Sequence, residues 1–175
     1  MRAEMYARAR SELSIEMSSY LADAELRFSY AVALHQTGDI DGFTEEIKTV
    51  LELDPNHAPA LNYMGYEWAQ RGENLDRAEI LLNRALKERP GHPAYLDSLG
   101  WILYRRGRFE QALGLFRRSL QRLPNEPEIL LHMACTLRQL KKYRSALSFY
   151  EKAMRLEQNA DRKKDHEREW KKIQN

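Results

Sequence analysis

Cysteine is nearly absent from this sequence: Cys135 is the only one in 175 residues, so no intramolecular disulfide can form. The histidines and Cys135 show none of the spacings that bind zinc. Six prolines and eight glycines are thinly spread. They leave long stretches of Ala, Leu, Glu, Arg and Lys, which favour helices. Because 43% of the residues are hydrophobic, the prediction is an all-α domain with an ordinary core.

Long apolar runs are also missing. No stretch of roughly 20 apolar residues could span a bilayer, and the first residues lack the apolar run of a secretory signal. The chain as written is therefore predicted to be cytoplasmic. Its formal net charge of +2 is too small for a dedicated nucleic-acid binder, which would need a strongly basic face.

Sequence features of an enzyme are lacking as well. There is no glycine-rich phosphate loop or dinucleotide fingerprint, and no nucleophile with a base or pair of carboxylates at a suggestive spacing. We therefore predict no catalytic residue, no cofactor and no metal. His57 and His92 lie beside prolines and are interpreted as turn residues, and Cys135 as a small packed or groove residue.

What the sequence does contain is an internal repeat, a feature that decides the architecture. Large apolar residues follow the i, i+3, i+7 spacing of a helix stripe, as in Leu96, Leu99 and Leu103. Gly72 and Gly107 lie where a first helix must end, a position that often needs a left-handed residue. Small residues recur where paired helices would cross, and prolines follow the second helices: Gly65, Gly100, Ala134, Ala78, Ala112, Ala146, Pro55, Pro90 and Pro124.

These marks resemble the tetratricopeptide repeat family over roughly residues 24–160, and residues 61–66 and 95–101 look like the C-terminal repeats of long bacterial members. The resemblance implies a right-handed α-solenoid of about four helix pairs. We divide it into repeats 24–57, 58–92, 93–126 and 127–160, with Asn74 as an added turn residue. Because Lys141 and Gln158 replace the usual glycine and proline in the last repeat, its second helix is expected to run on.

The two ends have different interpretations. Residues 1–23 match a second helix without its first, so residues 3–22 are interpreted as an orphan helix of a preceding repeat. Residues 161–175 carry ten charged side chains and two large apolar ones, the composition of a polar capping helix. If the chain is excised from a longer protein, its parent would fit a periplasmic or outer-membrane lipoprotein.

In the tetratricopeptide family the first helices line a concave groove, which implies a protein-binding site. Tyr66 and Trp101 are expected to stack in register between neighbouring repeats. They are interpreted as exposed binding anchors, and the alternative is that both rings pack in the core, as aromatics at helical spacing usually do. Polar side chains would give direction at the rim of this aromatic groove. The predicted partner-binding residues are Asn62, Tyr66, Asp97, Trp101, Tyr104, Arg105 and Arg138.

The leading functional prediction is a non-catalytic scaffold for a protein or peptide partner. One alternative is a self-assembling array, because residues 1–57 carry eleven acidic and five basic side chains whereas residues 93–175 carry ten acidic and eighteen basic ones. It would associate through the N-terminal helix. Further alternatives are an RNA-binding helical repeat and a hydrolase-like enzyme.

Overall fold

The computed structural model describes residues 23–172, and this part of the chain is all α-helical. The orphan helix predicted for residues 3–22 lies outside the described residues. Within them, the first helix of each successive pair begins at residue 24, 58, 93 or 127, the residues at which the proposed repeats begin. The helices are α1 (Ala24–Thr37), α2 (Ile40–Leu53), α3 (Ala58–Arg71), α4 (Leu75–Glu88), α5 (Pro93–Arg105), α6 (Phe109–Arg122), α7 (Pro127–Gln139), α8 (Tyr143–Leu156) and α9 (Ala160–Lys172).

The chain divides into two compact units, Met1–Met64 and Gly65–Asn175. In the described part of the first unit, α1 packs against α2. Phe43, Ile47 and Val50 of α2 are fully buried. The Asp23 and Asp39 carboxylates accept hydrogen bonds from Leu26 N and Gly42 N and so cap the two helices.

In the second unit two helix pairs cross at a glycine, as predicted. A Cβ atom at Gly100 of α5 would lie 2.6 Å from Phe116 Cε1 of α6, and a Cβ atom at Gly65 would collide with Leu82 of α4. Ala112 is fully buried at the start of α6. The absence of side-chain volume therefore lets the paired helices approach closely.

Turns between paired helices use the left-handed backbone conformation. Gly72 and Gly107 have φ of +73° and +74°, which confirms the prediction for these two glycines. Asn74 adopts φ +47° at the start of α4, in keeping with an added turn residue. Lys141 has φ +58°, so the same turn forms in the last pair without glycine.

The expected extension of the last second helix is wrong. Helix α8 ends at Leu156, and Glu157 Oε1 accepts a hydrogen bond from Asn159 N at 2.8 Å. The Asn159 side chain then accepts hydrogen bonds from Asp161 N and Arg162 N and caps α9. These side-chain acceptors end one helix and begin the next without a proline. None of the described helices is both long and apolar enough to cross a membrane.

Candidate functional site

A cavity of about 420 Å³ lies in the second unit, on the face formed by the first helices of successive pairs. Its walls combine aromatic, cationic and anionic side chains. Helix α9 forms one wall, so the C-terminal helix shares this face with α3, α5 and α7. The lining residues are Gln70 of α3, Trp101 of α5, Glu128, Leu131 and His132 of α7, and Arg162, Asp165, His166 and Arg168 of α9.

One of the lining residues, His132, forms a buried pair with Asp97. Asp97 of α5 and His132 of α7 are 6% and 4% exposed, and His132 Nδ1 lies 3.0 and 3.2 Å from the two Asp97 carboxylate oxygens. Burial raises the pKa of the Asp97 carboxyl, and the neighbouring His132 opposes this shift. The pair links two successive first helices.

Trp101 is 3% exposed, so the expectation of an exposed groove anchor is wrong. Its ring stacks on Tyr104, with centroids 4.7 Å apart and planes 7° apart, and on His132, with centroids 4.3 Å apart and planes 19° apart. It therefore does not stack in the predicted way, between repeats on Tyr66. Tyr104, which lies one turn further along α5, and His132 of the next first helix cover the indole and remove it from water.

Tyr66 also links distant helices. Its hydroxyl donates to the Glu128 carboxylate of α7 and accepts from the Gln70 amide one turn along α3. Desolvation raises the pKa of the Tyr66 hydroxyl well above 10.0, and the negative charge of Glu128 adds to this effect. The hydroxyl therefore stays protonated and serves as a donor near neutral pH.

Helix α9 is held at its N-terminal end by an acidic cluster that we define as Glu126, Glu128 and Glu157. Arg162 Nη2 lies 3.4 Å from Glu128 Oε2 and 3.9 Å from Glu126 Oε1, and Arg162 Nε lies 3.4 Å from Glu157 Oε2. Burial raises the pKa of Glu126, and Arg162 opposes the shift. One guanidinium thus forms ion pairs with three carboxylates.

The other end of α9 is held by aromatic stacking. Trp170 stacks on Tyr150 of α8 with ring centroids 4.4 Å apart and planes 12° apart. The Arg138 guanidinium of α7 lies 5.5 Å from the Trp170 ring and 5.7 Å from the Tyr143 ring. Arg138, predicted as a groove residue, therefore supports α9 in the structure.

The remaining predicted residues lie in different surroundings. Asn62 belongs to the first unit, where its side-chain oxygen is buried with no hydrogen-bond partner among the described residues. Arg105 is exposed, and its guanidinium lies against Gly72. The structure brings Tyr66, Asp97, Trp101 and Tyr104 into one connected cluster through Glu128 and His132.

Sequence reasoning did not assign α9 to this face. A signal was available, because α7 begins at Pro127 and a further repeat length leads to the start of α9. His132 and His166 occupy the same repeat position, as do Glu128 and Arg162. In the described part of the chain no three acidic, histidine or cysteine side chains are grouped so as to hold a metal ion.

Comparison with known proteins agrees with this architecture. The family model described as "Anaphase-promoting complex, cyclosome, subunit 3" matches residues 72–153. A TPR repeat-containing protein of Pseudomonas aeruginosa is 32% identical over 117 residues, which cover 67% of this chain and 20% of that protein. The chain is a tetratricopeptide repeat protein. Repeats of this type typically mediate protein–protein interaction.

Solved structures show the same fold. MamA of AMB-1 is 25% identical with a TM-score of 0.70, and the match covers 89% of this chain and 91% of that one. PilW, described as a widely conserved type IV pilus biogenesis factor, is 20% identical with a TM-score of 0.78 and coverages of 90% and 74%. The chain spans 17% to 28% of the length of the curated relatives it matches.

Proposed function

We propose that this tetratricopeptide chain is a non-catalytic scaffold that binds a segment of another protein in the cavity of its second unit. The observation that carries the proposal is the composite wall: α3, α5, α7 and α9 each contribute to one space of about 420 Å³. A surface built from several repeats can read an extended or helical segment along its length.

The chemistry of the wall supports a peptide as ligand. Gln70 can donate to and accept from backbone groups, Leu131 offers apolar contact, and Arg162 and Glu128 present both signs of charge. Trp101 and His132 line the same cavity and stack on each other, which links the first helices α5 and α7. Such a preorganised surface lowers the entropic cost of binding.

A photo-crosslinking experiment tests the proposal. A benzophenone amino acid is placed at Gln70, on the cavity rim, or at Arg118, which is exposed on α6. After irradiation in cells, we expect protein adducts at position 70 and far fewer at position 118, and mass spectrometry identifies the partner. Adducts confined to position 118, or equal at both positions, contradict the assignment of the binding face.

A further inference from the structure

Two side chains in the wall of the cavity carry a buried nitrogen that lacks a hydrogen-bond partner. Trp101 of α5 and His166 of α9 line the cavity and are 3% and 7% exposed. In the part of the chain that the structure describes, Trp101 Nε1 and His166 Nδ1 have no hydrogen-bond partner. A buried polar atom that stays unpaired costs free energy. Because both residues border the same space, one bound group can supply a partner to each.

The chemistry of the two nitrogens restricts the group that fits them. An indole N–H is a donor only, so Trp101 Nε1 requires an acceptor. Burial lowers the pKa of His166, so its imidazole is neutral near pH 7, and with the proton on Nε2 the Nδ1 atom accepts a hydrogen bond. A primary amide carries a carbonyl acceptor beside N–H donors and satisfies both atoms. A carboxylate has acceptors only, and an ammonium group has donors only.

The charged side chains of the cavity wall are already paired with one another. Arg162 forms ion pairs with the acidic cluster, which includes Glu128. Arg168 Nη1 lies 3.0 Å from Asp165 Oδ1 on the same helix. A bound carboxylate would therefore be repelled by Glu128 and Asp165, and a bound ammonium group by the two arginines. Since an unpaired charge costs more to bury than a neutral polar group, this wall favours a neutral polar ligand.

We propose that the cavity is a recognition pocket for the side-chain amide of a glutamine or asparagine in the partner segment. Trp101 Nε1–H donates to the amide carbonyl, and His166 Nδ1 accepts from the amide N–H. The inference rests on the proposed function and names the chemical group that the partner inserts, with α9 kept in place as a wall. A site built from hydrogen-bonding groups rejects a ligand without them strongly, because its own buried groups are then left unpaired.

The test titrates N-acetyl-glutamine methylamide into the full chain and follows the indole N–H resonances by NMR. The chain has three tryptophans, and the resonance that is lost in Trp101→Phe belongs to Trp101. We expect a saturable downfield shift of this resonance, with a dissociation constant of roughly 1–10 mM for so small a ligand. The corresponding methionine and glutamate derivatives carry the same backbone amides, and each should bind at least about tenfold more weakly.

Variants test the two nitrogens separately. Trp101→Phe keeps an aromatic ring and lacks the N–H, so the glutamine derivative should bind it at least about tenfold more weakly, as measured on the His166 ring resonances. His166→Phe removes Nδ1 and should have a similar effect, measured on the Trp101 indole. Trp68→Phe makes the same change outside the cavity lining and should bind as wild type does. Circular dichroism checks that the helices survive, and the three derivatives on wild type give the test without any variant.

The outcomes separate this inference from the proposed function. Equal shifts with all three derivatives mean that backbone groups are bound, and a larger shift with the glutamate derivative means that the cavity takes a carboxylate; either result overturns the amide assignment. If the glutamine derivative causes no shift while cellular adducts persist at position 70, the proposed function stands and this inference falls. If the shift and the adducts are both absent, both are rejected.

Discussion

Gly100 lies where α5 crosses α6, and a methyl group there would lie 2.6 Å from the buried Phe116 ring. We expect Gly100→Ala to lower the free energy of unfolding by about 1–3 kcal/mol, because the ring must move in a packed core. Gly114→Ala is the matched control, since Gly114 is exposed in α6 with open space around its Cα. It should raise stability by roughly 0.5–1 kcal/mol. Urea denaturation measures both, and equal stability of the two variants would contradict the crossing geometry.

The Asp97–His132 pair is a second residue-scale case. Asp97→Ala should destabilise the fold by about 1–3 kcal/mol, because it leaves the His132 ring buried without its carboxylate partner. His132→Ala should also destabilise, through lost stacking on Trp101. The double variant should cost less than the sum of the two, by roughly 0.5–3 kcal/mol. Strict additivity in a double-mutant cycle would show that the pair contributes no coupling.

At the scale of the element, α9 gives the stability of the chain a pH dependence. Burial lowers the pKa of His166 below its usual 6.5, and the negative charge of Glu157 partly opposes this. The folded state therefore binds fewer protons than the unfolded chain between the lowered pKa and 6.5. The contribution of His166 to the free energy of unfolding therefore falls as the pH decreases through this window.

His166→Gln removes this titration. We expect the difference in stability between pH 7.5 and pH 5.5 to be smaller in His166→Gln than in wild type, measured by chemical denaturation at each pH. His92, whose pKa is also lowered by burial, remains in both proteins and contributes equally. An unchanged pH dependence in the variant would show that His166 is hydrated in the folded state.

At the scale of the whole molecule, charge is unevenly distributed along the sequence. Residues 1–57 have a net charge of −6 and residues 93–175 of +8. We expect the acidic segment 1–57 of one copy to attract the basic segment 93–175 of another, with an association that weakens as salt screens the charges. Sedimentation velocity should therefore show a rise with protein concentration at low salt that is reduced at about 0.5 M salt. A monomer under both conditions contradicts the expectation, and Trp170→Ala should leave this association unchanged.

Much of the fold follows from short-range sequence signals. Gly72 and Gly107 mark turns because the left-handed conformation is available to glycine without strain. Pro93 and Pro127 stand at the first position of α5 and α7, where a missing N–H has no cost. Gly100 and Ala112 mark a helix crossing through their size alone. These signals act within a few residues, so a periodic pattern was sufficient to read them.

The sequence by itself thus determined the repeat family and the helix crossings marked by Gly65 and Gly100. The assignment of first-helix residues such as Tyr66 and Asp97 to a partner-binding groove stays a prediction. Only the tertiary structure decided what covers the first-helix side chains. Trp101 is buried because His132, on the next first helix, stacks on it, and Arg138 is engaged because α9 brings Trp170 to it. Exposure depends on which distant side chains meet, and neither helical periodicity nor composition encodes those contacts. A groove residue and a core residue therefore look alike in a repeat until the neighbouring helix is in place.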